Sequence, residues 1–291
     1  MAGFLLHLLR PLKRRLRQLR RRLTTYRNLL AIIQPGKVVG IDDLRRARSP
    51  VLVERGTNDS ILIIAFTGGV GKLMVPVFEF FETTKTLGCS RILLRDQYRR
   101  YYQRGIDEQR PDFDSLIAYL KDEIARLSPK HVFCIGTSGG GYAAIFAGHL
   151  LRADYVHAFS PQTSRDRVHH GVSDGRSRLS RWIETLYRMD KPPLIDLARV
   201  LRQSNGKTTY FIHYGYGCSY DRHHAEHLAG LPRVFLLGYP SATHQIAIFL
   251  AKMGFLTNTL DIARQDKLVE MAKAHFSEAI EISEPPSRPE P

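Results

Sequence analysis

The chain has 291 residues, of which 43% are apolar and 24% charged; this allows one sizeable core and excludes a disordered or low-complexity protein. Its three cysteines (Cys89, Cys134 and Cys218) are too few and too irregular in spacing for a disulfide framework or a zinc ribbon, and they fit a reducing, cytoplasmic compartment. Ten Lys and Arg precede Asp42, the first acidic residue, leaving only +5 of the net +15 for the rest, so the high pI does not by itself argue for nucleic-acid binding.

Residues 1–36 read as a basic helical arm. Leu5, Leu9, Leu12, Leu16, Leu19, Leu23, Tyr26 and Leu30 recur in steps of four and three, with arginines filling the faces between. Pro11 makes Leu12–Leu30 the credible continuous helix. No apolar run in the arm reaches the roughly 18–20 residues of a membrane span. The basic block follows the apolar Phe4–Leu9 segment, the reverse of a secretory signal. A helix lying peripherally on an anionic membrane surface fits this pattern. Helix pairing, docking on the body of the protein and an organellar presequence fit it too, whereas no base-reading residues accompany the arginines.

From residue 37 to 282 the pattern alternates between strand and helix. Val51–Glu54, Ser60–Phe66, Arg91–Leu94, His131–Ile135, Tyr155–Phe159, Thr208–His213 and Val234–Leu237 are apolar, β-branched or aromatic runs of strand length. Val75–Leu87, Asp114–Leu127, Gly139–Leu151 and Ile246–Met253 carry helical patterns between and after them. Such alternation implies right-handed crossovers and an α/β fold, a mainly parallel twisted sheet flanked by helices. Residues 160–206 break the rhythm with a polar, arginine-dotted stretch, read as a lid or cap insertion. Residues 283–291, rich in Pro, Glu and Ser, read as a disordered tail.

The run His131–Ile135 leads directly into Gly136-Thr137-Ser138-Gly139-Gly140 and then an Ala-rich helix. A serine at such a strand-to-helix corner adopts a strained conformation that tolerates little side chain two positions away on either side, where glycine stands here. The corner lifts the hydroxyl above the sheet and aims the helix N-terminus, with the Gly139 N–H, at an oxyanion. The loop after the first strong strand, through Gly68 to Gly69 and Val70, supplies the expected second donor. A Walker loop would end in Gly-Lys-Ser/Thr, which this segment lacks.

Candidates for a base and an acid serving Ser138 stand in loops after later strands. His244 follows the last expected strand by seven residues and precedes an apolar helix, the place for a general base, although a packing histidine fits there as well. Asp221 follows the preceding strand and suits the orienting carboxylate; an ordinary helix N-cap is its plainer role, and Asp166 or Asp174 could take its place. His223, His224, Glu226 and His227 lack a His-Glu-x-x-His order and a third ligand, so no metal is expected, and no cofactor. Arg95 and Asp96 end another strand at the same edge and read as a structural ion pair or as part of a candidate substrate pocket, with Tyr98, Tyr101 and Tyr102 nearby as stacking surfaces for a sugar or another ring, or as ordinary surface tyrosines.

With Gly136–Gly140, Asp221 and His244 in place, the chain resembles the α/β-hydrolase superfamily from about residue 55 to 260. Arg95-Asp96-Gln97-Tyr98, Tyr102-Gln103-Arg104-Gly105 and Ala158-Phe159-Ser160-Pro161-Gln162 look more loosely like segments of bacterial hydrolase-like proteins, some associated with surface glycan synthesis. The superfamily resemblance implies an acyl-enzyme mechanism on an ester, thioester or amide of a small molecule or glycan, with Ser138 as nucleophile, His244 as proton carrier and Asp221 holding the imidazole. Phe66-Thr67-Gly68-Gly69 replaces the usual His-Gly-Gly oxyanion motif. An esterase or deacylase, an acyltransferase and a catalytically silent binding or assembly scaffold are all compatible with it.

Overall fold

A computed structural model describes residues 50–68, 83–84, 86–98, 100–164, 194–277 and 280–285. Among these residues eight strands form one sheet: β1 (Val51–Glu54), β2 (Asn58–Phe66), β3 (Cys89–Leu94), β4 (His131–Thr137), β5 (Tyr155–Phe159), β6 (Thr209–Gly215), β7 (Val234–Tyr239) and β8 (Glu281–Ser283). They lie in the order β1-β3-β2-β4-β5-β6-β7-β8. The six inner strands run parallel, while β1 pairs antiparallel with β3 and β8 with β7. Parallel strands bring all their C-terminal ends to one edge of the sheet, where the loops of such a fold form a binding crevice.

Both faces of the central strands are buried, as continuous β-branched runs require. On one face Leu62, Ile64, Phe66, Cys134, Val156 and Ile212 pack against α1 (Phe113–Leu127), α2 (Gly139–Leu151), α3 (Leu197–Arg202) and α4 (Ser219–Glu226). Asp112 caps α1: its side chain takes the Ser115 N–H at 2.7 Å, and its own N–H donates to the Ser115 hydroxyl. Gly148 lets α2 approach β5, since a Cβ there would lie 2.3 Å from Val156 Cγ2.

The opposite face carries stacked rings. His157 lies against Phe133 and Phe211, and His213 against Phe159 and Tyr239. After β7 come α5 (Ile246–Lys252), α6 (Leu256–Leu260), a 3-10 turn (Ile262–Lys267) and α7 (Leu268–Phe276). Phe276 of α7 meets Tyr239 edge-on and also packs against Phe249 and Phe255. A hydrogen-bonded line crosses this face: Tyr239 Oη to His213 Nδ1 (2.9 Å), His213 Nε2 to His157 Nδ1 (3.1 Å) and His157 Nε2 to Gln265 Oε1 (2.9 Å). Gln265 spends its amide N–H groups on the carbonyls of Thr259 and Asp261, so Oε1 is an acceptor and His157 Nε2 must carry a proton. Neutral His157 then accepts at Nδ1 from His213 Nε2–H, and His213 accepts at Nδ1 from Tyr239. With both histidines uncharged, every ring nitrogen is satisfied.

The expected strands and the helices Asp114–Leu127, Gly139–Leu151 and Ile246–Met253 appear with ends shifted by at most three residues. Most of Val75–Leu87, the helical piece within the expected lid and the basic arm fall outside the described residues. One boundary moves. Ser283, read as the start of the tail, is the end of β8 and pairs with Leu236, because the open edge of β7 offers a polar segment the hydrogen bonds it cannot make alone. No helix among the described residues is long and apolar enough to cross a membrane.

Candidate active site

β4 ends one residue before Ser138, which stands ahead of α2 at φ 54° and ψ −119°. A non-glycine residue held in such a conformation carries about 1–3 kcal/mol of strain and persists only where its surroundings fix it. Here the Ser138 N–H donates to Phe159 O (2.9 Å), and its carbonyl accepts from the Tyr142 and Gln162 N–H groups (3.1 and 3.3 Å). The hydroxyl makes no cap bond to the helix. From Val132 to Ile145 every residue is buried except Ser138, which is partly exposed.

The flanking glycines make this corner sterically possible. A Cβ on Gly136 would lie 2.2 Å from the Gly140 carbonyl oxygen, and one on Gly140 would lie 2.3 Å from Phe66 O and 2.6 Å from Thr67 O. These obstacles are backbone atoms that cannot rotate away. Gly140→Ala is therefore expected to destabilise the domain by at least the ~1–3 kcal/mol typical of overpacking, and to displace the elbow. Urea denaturation checks this; an unchanged midpoint would show that the close approach is not needed.

β6 and β7 deliver the next two residues to the same edge. Beyond β6, the Tyr216 and Gly217 N–H groups donate to Tyr239 O (3.1 Å) and Ser241 O (3.0 Å), and a Cβ on Gly215 would meet Ser241 O at 2.4 Å. The two loops are thus pressed together. Asp221, in the first turn of α4 and 1% exposed, accepts from His244 Nδ1 at 2.6 Å. The His244 side chain is 42% exposed. With Nδ1–H given to the carboxylate, Nε2 is the nitrogen left to accept a proton.

Gly139, buried, is the first residue of α2. Gly68 lies directly against the elbow, where a Cβ would sit 3.0 Å from Thr137 O and 3.7 Å from Ser138 Cβ. Gly69 and Val70, the expected donors from this loop, are outside the described residues, as are the substitute acids Asp166 and Asp174.

Arg95 and Asp96 are both 6% exposed, and Tyr98 is exposed. Burial pushes the Arg95 guanidinium down to about 10 against the opposing influence of Tyr102. The Asp96 carboxylate takes the Tyr102 N–H at 3.1 Å. The reading of Tyr102 as a stacking surface is corrected: it is fully buried, edge-on to Phe66, because its phenol finds backbone partners at the ends of β2 and β3. His224 in α4 and His227 at its C-cap turn to separate partners. His224 Nδ1 faces the Thr163 amide and hydroxyl, and His227 Nε2 meets Asp196 at 2.7 Å.

Two site neighbours went unassigned at the sequence level. Gln162, whose N–H meets the Ser138 carbonyl, donates from Nε2 to Tyr220 Oη at 2.6 Å. The Tyr220 ring in turn stands edge-on to His244, centroids 6.3 Å apart. A polar residue just past a strand end next to the elbow strand was the available signal for Gln162; Tyr220 carried none.

MenH from S. aureus superposes with a TM-score of 0.52 at 14% identity, over 78% of this chain and all of that one. The chain has the α/β-hydrolase fold. Further solved structures are also similar to it. Among them are the Pyrococcus furiosus esterase Pf2001 (TM-score 0.47, 16% identity, 82% and 99% covered) and the capsule O-acetyltransferase of Neisseria meningitidis serogroup A (0.39, 16%, 60% and 74%). No family model matches the sequence, and no curated protein matches it. In this fold, Ser138, Asp221 and His244 follow β4, β6 and β7 at the shared C-terminal edge of the sheet.

Proposed function

We propose that the protein is a serine hydrolase of the esterase or deacylase type, working through Ser138, His244 and Asp221. The observation that carries this reading is the Asp221–His244 hydrogen bond of 2.6 Å at the sheet edge that also bears the strained, partly exposed Ser138. In the proposed reaction Ser138 Oγ attacks an acyl carbonyl while His244 Nε2 takes its proton. Asp221 holds the imidazole by Nδ1 and stabilises its charged form. The Gly139 N–H, at the positive end of α2, and a donor from Gly69 or Val70 receive the developing oxyanion. As the tetrahedral species collapses, His244 returns the proton to the leaving oxygen, sulfur or nitrogen. Water, activated by the same imidazole, then attacks the acyl-Ser138 ester and releases the acid.

Replacement of that water by an acceptor hydroxyl would give an acyltransferase by the same steps. The proposed substrate is an acyl ester, thioester or amide of a small molecule or glycan. The Leu12–Leu30 arm is proposed to bring the protein to an anionic membrane surface from the cytoplasmic side.

A fluorophosphonate probe should label the purified protein covalently and stoichiometrically, and Ser138→Ala should abolish the labelling without changing the far-UV circular dichroism. A folded wild type that takes no label would overturn the enzyme reading in favour of a silent scaffold.

A further inference from the structure

His244 is held at one point. Its one hydrogen bond among the described residues runs from Nδ1 to Asp221 Oδ1, and its side chain is 42% exposed. A single bond at Nδ1 sets the tautomer but leaves the ring free to swing about that contact, changing the direction in which Nε2 points. The ring that meets the imidazole is Tyr220, edge-on, with centroids 6.3 Å apart. Tyr220 and Asp221 are consecutive in the first turn of α4, so one stretch of backbone addresses His244 twice, through a carboxylate and through a ring.

Tyr220 is itself clamped. Its hydroxyl accepts from Gln162 Nε2 at 2.6 Å, and the Gln162 N–H meets the Ser138 carbonyl at 3.3 Å. His224, one helical turn on, stands edge-on to the same phenol ring with centroids 4.6 Å apart, and its Nδ1 accepts the Thr163 N–H at 3.2 Å. The segment after β5 therefore fixes Tyr220 twice, at the phenol oxygen through Gln162 and at the ring through Thr163 and His224. A half-buried phenol can be satisfied by water; here the Gln162 amide instead ties it to the loop that touches the elbow. One side chain thus connects the neighbourhood of the nucleophile to the ring of the base.

We propose that Tyr220 is a positioning residue for His244, its anchored ring limiting the swing of the imidazole so that Nε2 stays directed at Ser138. The proposal rests on the serine-hydrolase reading above and adds a residue to it. Tyr220 itself moves no proton. A general base works only within hydrogen-bond reach of the group it deprotonates, and a misplacement of about 1 Å costs on the order of 10²-fold in rate.

The test compares Tyr220→Leu with Tyr220→Phe in the hydrolysis of p-nitrophenyl acetate, with kcat expressed per site titrated to completion by the fluorophosphonate probe. That normalisation removes molecules that are merely misfolded. Tyr220→Leu loses both the ring and its anchor, and is expected to lower kcat about 10–100-fold with KM within about twofold. Tyr220→Phe keeps the ring against His244 and releases only the Gln162 bond, so it should restore most of the loss and stand about two- to tenfold below wild type. Gln162→Leu, which keeps the backbone N–H, should match Tyr220→Phe, and the Gln162→Leu/Tyr220→Phe double variant should be no slower than either alone. A folded Tyr220→Leu with wild-type kcat overturns the proposal. So does a loss carried by KM alone, which would make Tyr220 a wall of the substrate pocket. If Tyr220→Leu does not fold, the other two single variants decide, and wild-type kcat in both overturns it. A wild type that neither takes the label nor turns over the ester defeats the underlying reading, and this proposal with it; an active, labelled wild type with indifferent variants defeats this proposal alone.

Discussion

Asp221→Asn should lower kcat by about 10³–10⁴-fold while leaving the fold and KM nearly unchanged. Asparagine has the same shape but can present an N–H to His244 Nδ1. The imidazole then takes the tautomer with its proton on Nε2, and the nitrogen proposed to receive the Ser138 proton is already occupied. Because Asp221 is 1% exposed and bonded to His244 at 2.6 Å, no solvent molecule can readily restore the right tautomer. Fluorophosphonate labelling, which needs the same proton transfer, should slow in step. The measurement is steady-state hydrolysis alongside labelling rates at pH 7.5. A loss below tenfold would mean that another carboxylate orients His244, or that His244 is not the base.

The second large effect concerns acid. His157 and His213 are fully buried, and burial pushes His157 down to about 3 and His213 well below the ordinary histidine range. In the unfolded chain both titrate near 6.5. As pH falls through 6.5 the unfolded chain therefore takes up protons that the folded chain refuses. Stability present above that pH is lost at about 1.4 kcal/mol per pH unit for each histidine. By pH 4.5 His157 alone removes about 2.7 kcal/mol and His213 adds to that loss, a large part of the ~5–15 kcal/mol that holds a typical domain. Urea midpoints measured between pH 7 and pH 4.5 should fall steeply for the wild type and much less for a His157→Phe/His213→Phe double variant. That variant keeps the ring stack while giving up some stability at neutral pH through the orphaned Tyr239 and Gln265 groups. Equal slopes for the two proteins would move the acid sensitivity elsewhere.

The elbow and the parallel strands were legible because local chemistry dictates them. Gly136 and Gly140 stand where a side chain would strike backbone, and the apolar runs have the length and branching of buried strands. Asp221 and His244 could be found by counting strands, since each parallel strand returns its end to the same edge. Tyr102 could not. In Arg99-Arg100-Tyr101-Tyr102-Gln103-Arg104 it looks like surface, and its partner Thr67 is 35 residues away. His157 and His213 interrupt their strands as polar residues, and only the neighbouring strand reveals that each completes the other. β8 was hidden for the same reason: Glu281-Ile282-Ser283 has no strand signal of its own and is ordered by the edge it covers.

That last strand bears on where the working domain can be cut. Glu281 holds the guanidinium of Arg222 with both carboxylate oxygens, at 2.7 and 2.8 Å, and Arg222 also donates to Tyr216 O. Arg222 is the residue next to Asp221, so the helix carrying the proposed acid is braced from a point 59 residues further along the chain. A fragment ending before Glu281 would retain every proposed catalytic side chain. It would nonetheless lose that brace and bare the hydrogen-bonding edge of β7, an adhesive surface in any sheet protein. The shortest stable version of this domain is therefore longer than the proposed chemistry alone would suggest.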